Sequence, residues 1–291
     1  MLDDPVAWQH QIFVMISPDC LTRGLTRTVL DRLAGIGLRP LGWRFARITS
    51  HRIDRMSELQ QLTAAGVYRY RTLDALFALG PALMVTLRDE QGRSADEFYA
   101  AAKALKGDAD PTRAQPGSIR HDLGAMNTVL NLLHISDSPD AAATECTTLA
   151  GSDPALFQST GLGELLDLLE SRRPETRGFT DVLSALRAQL LAAVWGDISA
   201  SARARVTRLT RDGALGDPTT GKALADALRG QGVRPAETVE VLGWGFDGTL
   251  PRADMDCVAR VFAGHGLDLD PWERVVLTTS AVFPPDTSAL R

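Results

Sequence analysis

The feature that most constrains the fold is a change of pattern near residue 151. Before it, short apolar segments alternate with segments whose apolar residues recur every three to four positions, and after it only the helical spacing continues. The first half therefore predicts the order β-α-β-α-α-β-α-β-α. Four strands separated by helices predict one sheet with helices packed on it, an α+β arrangement. The predicted strands are Gln11 to Ile16, Leu38 to Ile48, Pro81 to Leu87 and Val129 to His134.

The second half predicts an all-α domain. The turn-forming stretch Gly151-Ser152-Asp153-Pro154 is a plausible boundary, which gives a first domain over residues 1–153 and a helical domain over residues 154–291. Apolar residues at helical spacing predict seven helices beyond it. Those helices span roughly 160–173, 178–194, 198–211, 219–230, 235–243, 253–264 and 270–282.

Composition narrows the class of protein. A chain of 291 residues with a formal net charge of −5 argues against general nucleic-acid binding, and no run approaches the roughly 18 apolar residues of a membrane span. The acidic start, Met1-Leu2-Asp3-Asp4, differs from a signal peptide. Three cysteines without CxxC spacing indicate reduced thiols and no zinc site. We therefore expect a cytoplasmic protein without nucleic-acid or membrane partners and without a metal site of its own.

One pair of segments suggests phosphate chemistry. Pro116-Gly117-Ser118-Ile119-Arg120 supplies a turn and a guanidinium, and fourteen residues after Arg120 an apolar run delivers His134 into a cluster of serine and aspartate. A neutral imidazole can capture a phosphoryl group on nitrogen near pH 7, and arginine matches the geometry of phosphate oxygens. The structural alternatives are that His134 is a solvated strand-end histidine and that Arg120 braces the loop.

Five blocks of the first half carry the most specific signal in their order and spacing. They are Phe13 to Asp19, Thr22 to Leu25, Gly42 to Phe45, Gly107 to Asp122 and Asn131 to Ser138. Together they resemble the nucleoside diphosphate kinase family over about residues 10–150, and their agreement is more specific than any single motif.

This resemblance implies a fold and a reaction. The fold is a ferredoxin-like four-stranded antiparallel sheet with packed helices, here followed by the all-α domain. The reaction is a two-step transfer in which a nucleoside triphosphate phosphorylates a histidine, which passes the group to a second nucleotide. By the family's motif, His134 is the nucleophile, and Ser136 and Glu145 orient its imidazole.

The resemblance also implies substrates and partners. Arg120 and Asn131 would contact the phosphates or the sugar, and Lys103 stands where the family has a phosphate-binding arginine. The implied ligands are ATP or another nucleotide, or a small phosphorylated metabolite, with Mg²⁺ entering together with the nucleotide. The family also forms homo-oligomers. For Glu145 the alternative is an acid on a helix surface, and for Lys103 and Lys106 it is a solvated helix face.

Several positions depart from the family pattern on the triphosphate side of the site. Ser17 replaces a lysine, Ser57 a tyrosine, Ala109 a threonine and Ile135 a glycine. A charge-assisted hydrogen bond contributes about 1.5–3 kcal/mol, so these losses predict weak ordinary kinase turnover.

The sequence therefore predicts a phosphotransferase with an altered donor or acceptor, whose helical domain modifies or completes the site. One alternative is a catalytically impaired pseudoenzyme that still binds a nucleotide. Another is a module for interaction or assembly.

The helical half contains a segment with part of the residue spacing of a phosphate-binding loop. Gly216-Asp217-Pro218-Thr219-Thr220-Gly221-Lys222-Ala223 has the glycines and lysine of such a loop but lacks its final serine or threonine. The segment before it is charged, whereas a phosphate-binding loop follows a buried strand. Residues 216–223 therefore predict a turn followed by a helix.

Overall fold

The protein is described by a computed structural model that covers residues 6–55, 72–151, 153–171, 176–248, 250 and 252–287. The chain divides into two compact units, Met1–Thr176 and Arg177–Arg291. Each unit is described by itself below.

A four-stranded antiparallel sheet forms the centre of the first unit. Its strands are β1 (Gln11–Ile16), β2 (Leu38–Ala46), β3 (Ala82–Asp89) and β4 (Leu133–Ile135), in the order β2-β3-β1-β4. The two central strands are almost wholly buried, as near-continuous apolar runs require. This order, with helical crossovers, is the ferredoxin-like arrangement, and it confirms the predicted α+β fold.

The described helices of this unit keep the predicted order, with different bounds and with two short helices, Pro18–Thr22 and Ile119–Asp122, that the sequence does not predict. Apolar spacing predicts a helix from Thr22 to Ala34, and the observed helix begins at Thr26, after Gly24 with a positive φ of 65°. The spacing also predicts a helix from Arg52 to Leu62; a helix over Ser50–Asp54 is observed, and most of the remaining predicted range lies outside the described residues. The helices are α1 (Pro18–Thr22), α2 (Thr26–Gly35), α3 (Ser50–Asp54), α4 (72–78), α5 (Ala95–Lys106), α6 (Ile119–Asp122), α7 (Pro139–Glu145) and α8 (Leu162–Glu170). A π-helical turn, Cys146–Ala150, extends α7.

The last strand is shorter than predicted. The apolar run from Val129 was expected to be strand throughout, but Leu132 has a left-handed φ of 77° and β4 begins only after it. The preceding residues form a turn in which the Asn127 side chain accepts from the backbone N–H groups of Val129 and Leu130, at 3.0 and 2.9 Å. His134 therefore lies at the middle of a three-residue strand.

The segment beyond residue 153 packs on the first unit. Trp43 and Gln158 exchange two backbone hydrogen bonds of 2.9 and 2.8 Å, and the Trp43 indole donates to the Thr160 carbonyl at 3.0 Å. On α8, Asp167 and Glu170 pair with Arg27 at 2.6 and 3.2 Å. The compact unit consequently ends at residue 176, and the domain boundary at 153 stays a prediction.

The second unit is built from helices in the part of it that the structure describes. Its buried Arg187 donates to the backbone carbonyls of Leu215, Asp217, Pro218 and Trp244 at 2.6–3.3 Å. A Cβ atom on Gly221 would come within 2.5 Å of that guanidinium, so this glycine is required by packing. The helices are α9 (Phe179–Val194), α10 (Ala200–Leu209), α11 (Thr220–Leu228), α12 (Glu237–Gly243), α13 (Arg252–Gly264) and α14 (Pro271–Val282).

None of the helices in the described ranges combines the length and the apolar character that crossing a lipid bilayer requires.

Candidate active site

A cleft of about 340 Å³ lies in the first unit beside the C-terminal end of β1 and the short strand β4. One wall is apolar and comes from α3, α4 and neighbouring loops, while the other carries the polar residues that the sequence singled out. The residues that matter below and line this cleft are Ser17, Lys106, Ala109, Arg120, Asn131, His134 and Asp137.

His134 is held from one side by a carboxylate. Its Nε2 atom lies 2.7 Å from Oε2 of Glu145, and the Ser136 hydroxyl donates to the same oxygen at 2.5 Å. The arrangement assigns the Nε2–H tautomer, because the carboxylate accepts that proton. Nδ1 then keeps its lone pair, and no partner for it occurs in the described part of the chain. An imidazole in this state can act as a nucleophile.

Local structure explains why these three side chains meet. β4 pairs antiparallel with β1, which fixes His134 opposite Met15. The Ser138 hydroxyl accepts from the Ala141 N–H at 3.2 Å and, with Pro139 in the first turn, starts α7 directly after the strand. Two turns later α7 ends at Glu145, so the chain returns the carboxylate to the strand that carries the histidine.

Arg120 is committed to the backbone. Its guanidinium donates to the carbonyls of Gly107, Asn131 and Leu133 at 3.0, 3.2 and 2.8 Å, and the residue is 5% exposed. Burial lowers the pKa of Arg120 to about 10, opposed by nearby carboxylates of which Asp108 is the strongest. The residue therefore braces the loop as one sequence alternative predicted, and these bonds use three of its five N–H donors.

Asn131 lines the cleft as expected, with its amide donating to the Thr128 carbonyl at 2.6 Å. The positions that depart from the family pattern lie nearby. Ser17 is buried in the cleft wall and Ala109 faces the same cleft, so neither supplies a cation there. Ser57 lies outside the described residues.

The structure places Lys106, and not Lys103, in the cleft. The Lys103 side chain is 68% exposed, and its Nζ is 3.8 Å from Asp137, at the limit of an ion pair. Lys106 was expected on a solvated face, yet the residue is only 8% exposed. The missed signal is helical spacing, because residue 106 falls on the same face of α5 as the buried Phe98 and Ala102.

The Lys106 ammonium is anchored beside the histidine. Nζ donates to the carbonyl of Ile135, the residue after His134, at 3.0 Å and to Oδ1 of Asp137 at 3.3 Å. Burial lowers the pKa of Lys106, the charge of Asp137 opposes that change, and Arg120 adds to it. Burial works against ionisation of Asp137, but the neighbouring Lys106 holds its pKa below the ordinary value. Sequence reasoning did not select Asp137.

No cluster of three or more histidine, cysteine or carboxylate side chains suited to a metal ion occurs in the described ranges. Carboxylates, the usual protein ligands of Mg²⁺, are represented in the cleft lining by Asp137 alone among the described residues.

Comparison with known proteins identifies the first unit. Residues 10–153 match the family profile described as "Nucleoside diphosphate kinase". The nucleoside diphosphate kinase of Methanocorpusculum labreanum is 31% identical over 136 residues, which cover 47% of this chain and 84% of that protein. The Streptomyces coelicolor enzyme of the same name is 31% identical over 133 residues, 45% of this chain and 89% of that protein.

Solved structures of the same description are also similar. That of nucleoside diphosphate kinase from Encephalitozoon cuniculi has 21% sequence identity and a TM-score of 0.43 over 54% of this chain and 99% of that chain.

Proposed function

Because the chain belongs to the nucleoside diphosphate kinase family, we propose that its first unit is a phosphotransferase that carries the phosphoryl group on His134. The observation that carries this proposal is the contact of His134 Nε2 with Glu145, which leaves Nδ1 free in the cleft. The Ser136 hydroxyl donates to the same carboxylate oxygen and so helps to hold it. These three residues form a nucleophile whose tautomer and orientation are set before substrate arrives.

The proposed reaction has two balanced steps. Nδ1 of His134 attacks the terminal phosphorus of a nucleoside triphosphate, so an N–P bond forms while the bridging P–O bond breaks. The electron pair of that bond leaves with the nucleoside diphosphate. The ring becomes cationic, and Glu145 stabilises it by accepting from Nε2–H. In the second step a terminal oxygen of another acceptor attacks the same phosphorus and displaces the histidine.

We propose that Mg²⁺ enters as part of the nucleotide substrate, bound by its phosphates. The cleft offers one carboxylate among its described lining residues, which fits a metal bound mainly by substrate. Asn131 and the two remaining N–H donors of Arg120 are proposed to contact phosphate or sugar oxygens.

We also propose an altered donor or acceptor. The supporting observation is that the buried Ser17 and the small Ala109 lie in the cleft wall where the family resemblance places a lysine and a threonine. The loss of one ammonium and one hydroxyl predicts that ordinary nucleoside triphosphates react slowly, and we propose that another phosphorylated metabolite is preferred.

The test is direct labelling of the full chain. The protein is incubated with γ-labelled ATP or GTP and Mg²⁺, and bound label is tested for acid lability and stability in base. We expect such label on the unaltered protein and none on the His134→Ala variant. His51→Ala, which alters an exposed histidine that does not line the cleft, is the matched control and should label normally. Equal labelling of His134→Ala would refute the proposal.

A second candidate is a nucleotide-binding pseudoenzyme. It is favoured by the commitment of Arg120 to three backbone carbonyls, which reduces its capacity to stabilise charge in the transition state. In that case nucleotides should raise the unfolding temperature of the protein without labelling His134.

Family membership also supports the proposals that the chain forms a homo-oligomer and acts in the cytoplasm. Light scattering coupled to size-exclusion chromatography should give a mass that is a multiple of 31.4 kDa. A monomeric mass at micromolar concentration would contradict the first of these.

A further inference from the structure

We propose that Lys106 is the residue that binds the terminal phosphoryl group of the substrate. Until the substrate binds, Asp137 is paired with the Lys106 ammonium. This inference rests on the proposed function, since it assigns a further binding residue to the same cleft. It differs from the sequence expectation, which gave a phosphate-binding role to Lys103.

Position supports Lys106 first. Its Nζ is fixed 3.0 Å from the carbonyl oxygen of Ile135, one residue along β4 from His134, and Lys106 and His134 both line the cleft. The side chain lies at the end of α5, on the face that packs into the core. The ammonium is thus held by the strand that carries the nucleophile and lines the same cleft as the nucleophile.

Donor accounting supports it next. An ammonium has three N–H donors, and Lys106 uses one on Ile135 and one on Asp137, so one is left for a ligand. Among the described residues that line the cleft, Lys106 and Arg120 are the permanently basic side chains. Arg120 already spends three donors on backbone carbonyls, so Lys106 is the less committed cation.

The exposure of Asp137 supports an exchange of partners. Its side chain is 51% exposed and its distance to Lys106 is 3.3 Å, longer than the usual 2.7–2.9 Å of a charge-assisted bond. It can therefore turn towards solvent. A phosphoryl oxygen would then replace the carboxylate on Lys106, while the bond to Ile135 persists.

The test compares binding of the non-hydrolysable analogue β,γ-imido-ATP with Mg²⁺ to four full-length proteins by calorimetry. Lys106→Met should weaken binding about 10- to 100-fold, the loss expected for one charge-assisted bond. Lys103→Met, on the same helix, should change it less than about threefold, because that lysine is exposed and outside the cleft. Asp137→Asn removes the competing charge and should tighten binding.

Three outcomes would overturn the inference. These are an unchanged affinity in Lys106→Met, a larger loss in Lys103→Met than in Lys106→Met, and weaker binding in Asp137→Asn. Absence of binding to the unaltered protein would overturn it as well. If Lys106→Met does not fold, Asp137→Asn and the charge-preserving Lys106→Arg still decide it. Histidine labelling is a separate readout, so loss of the proposed function and loss of this assignment are distinguishable.

Discussion

At the scale of single residues, the chemistry proposed for the site depends on the hydrogen bond between His134 and Glu145. In that proposal, Glu145→Gln keeps the size of the side chain but removes the charge that stabilises the cationic ring. We expect the rate of His134 phosphorylation to fall about 10- to 100-fold with little change in nucleotide affinity. Single-turnover labelling measures the rate.

The exposed carboxylate Asp140, on the same helix, provides the control for this substitution. Asp140→Asn should label at the normal rate. If both substitutions slow labelling equally, Glu145 acts through helix stability instead of through His134.

A second residue prediction concerns the buried Asp19. Burial raises the pKa of Asp19 to about 6 from 3.8, and the Leu132 N–H donates to its Oδ2 at 3.1 Å. A raised pKa means that the folded state binds the proton more tightly than the unfolded state. The stability contributed by this proton is therefore fully present below about pH 4 and is lost as pH rises through about 6.

The measurement compares urea unfolding of the unaltered protein and Asp19→Asn between pH 4 and 7. The stability of the unaltered protein relative to the variant should fall by about 2 kcal/mol over this range, since one pKa unit corresponds to about 1.4 kcal/mol and part of the change lies below pH 4. Parallel stability curves for the two proteins would show that Asp19 does not titrate in this window.

Candidate site residues could be predicted from the sequence where a family motif contains them. The contacts between residues distant in sequence could not. The resemblance places His134, Ser136 and Glu145 at fixed spacing and the structure brings their side chains into contact, while their catalytic role stays a prediction. The three bonds of Arg120 join it to residues 11 to 13 positions away, which no local pattern reveals. The burial of Lys106 could have been predicted from helical spacing, which places it on the same face as Phe98 and Ala102. The general tendency of lysines to be solvated argued against that prediction.

At the scale of elements, the junction between α5 and the following loop fixes the cleft wall. Gly107 has φ 86° and ψ 172°, a region essentially restricted to glycine, and a Cβ there would lie 2.5 Å from Ser118 Oγ. Gly107→Ala should destabilise the fold by about 3 kcal/mol, the sum of backbone strain and the displacement of Ser118. Urea unfolding measures it.

Gly92 is the matched control for this prediction. It also has a positive φ, of 67°, but a Cβ there meets nothing within 4 Å. Gly92→Ala should cost about 1 kcal/mol, from backbone strain alone. Equal costs at the two positions would mean that the contact with Ser118 is unimportant.

Elements were predicted best where burial and periodicity agree. β1 has the predicted bounds, Gln11–Ile16, because a continuous apolar run between polar residues leaves little choice. β4 was predicted too long because the apolar side chains of residues 129–132 are buried in a turn, and hydrophobicity reports burial without reporting backbone direction. The four-residue α6 was missed because it is stabilised by the Ser118 side chain, which accepts from His121 N–H.

At the scale of the whole molecule, the contacts of residues 154–170 suggest that the family domain needs more chain than the profile match covers. A fragment of residues 1–153 loses the hydrogen bond of the Trp43 indole, the two backbone hydrogen bonds of Trp43 and the ion pairs of Arg27. We expect it to be about 3 kcal/mol less stable than a fragment of residues 1–176.

Urea unfolding of the two fragments measures the difference, with the full chain as the reference. Fragment 1–176 should retain His134 labelling, and fragment 177–291 should give helical circular dichroism with cooperative unfolding. Equal stability of the two shorter fragments would support the boundary at residue 153 that the sequence predicts. The sequence marks turn-forming residues, but it does not show which side of a turn the following helix packs on.

The π-helical turn after Glu145 is a place where a residue can be inserted or deleted without moving Glu145. At its end the Gly151 N–H donates to the carbonyls of both Cys146 and Thr147, at 3.2 and 3.1 Å. The Leu149 carbonyl accepts from the Arg52 guanidinium at 2.7 Å. A turn that is wide by one residue can gain or lose that residue without rotating the helix before it. Insertions or deletions there would shift the register of the chain towards α8, while Glu145 keeps its distance from His134.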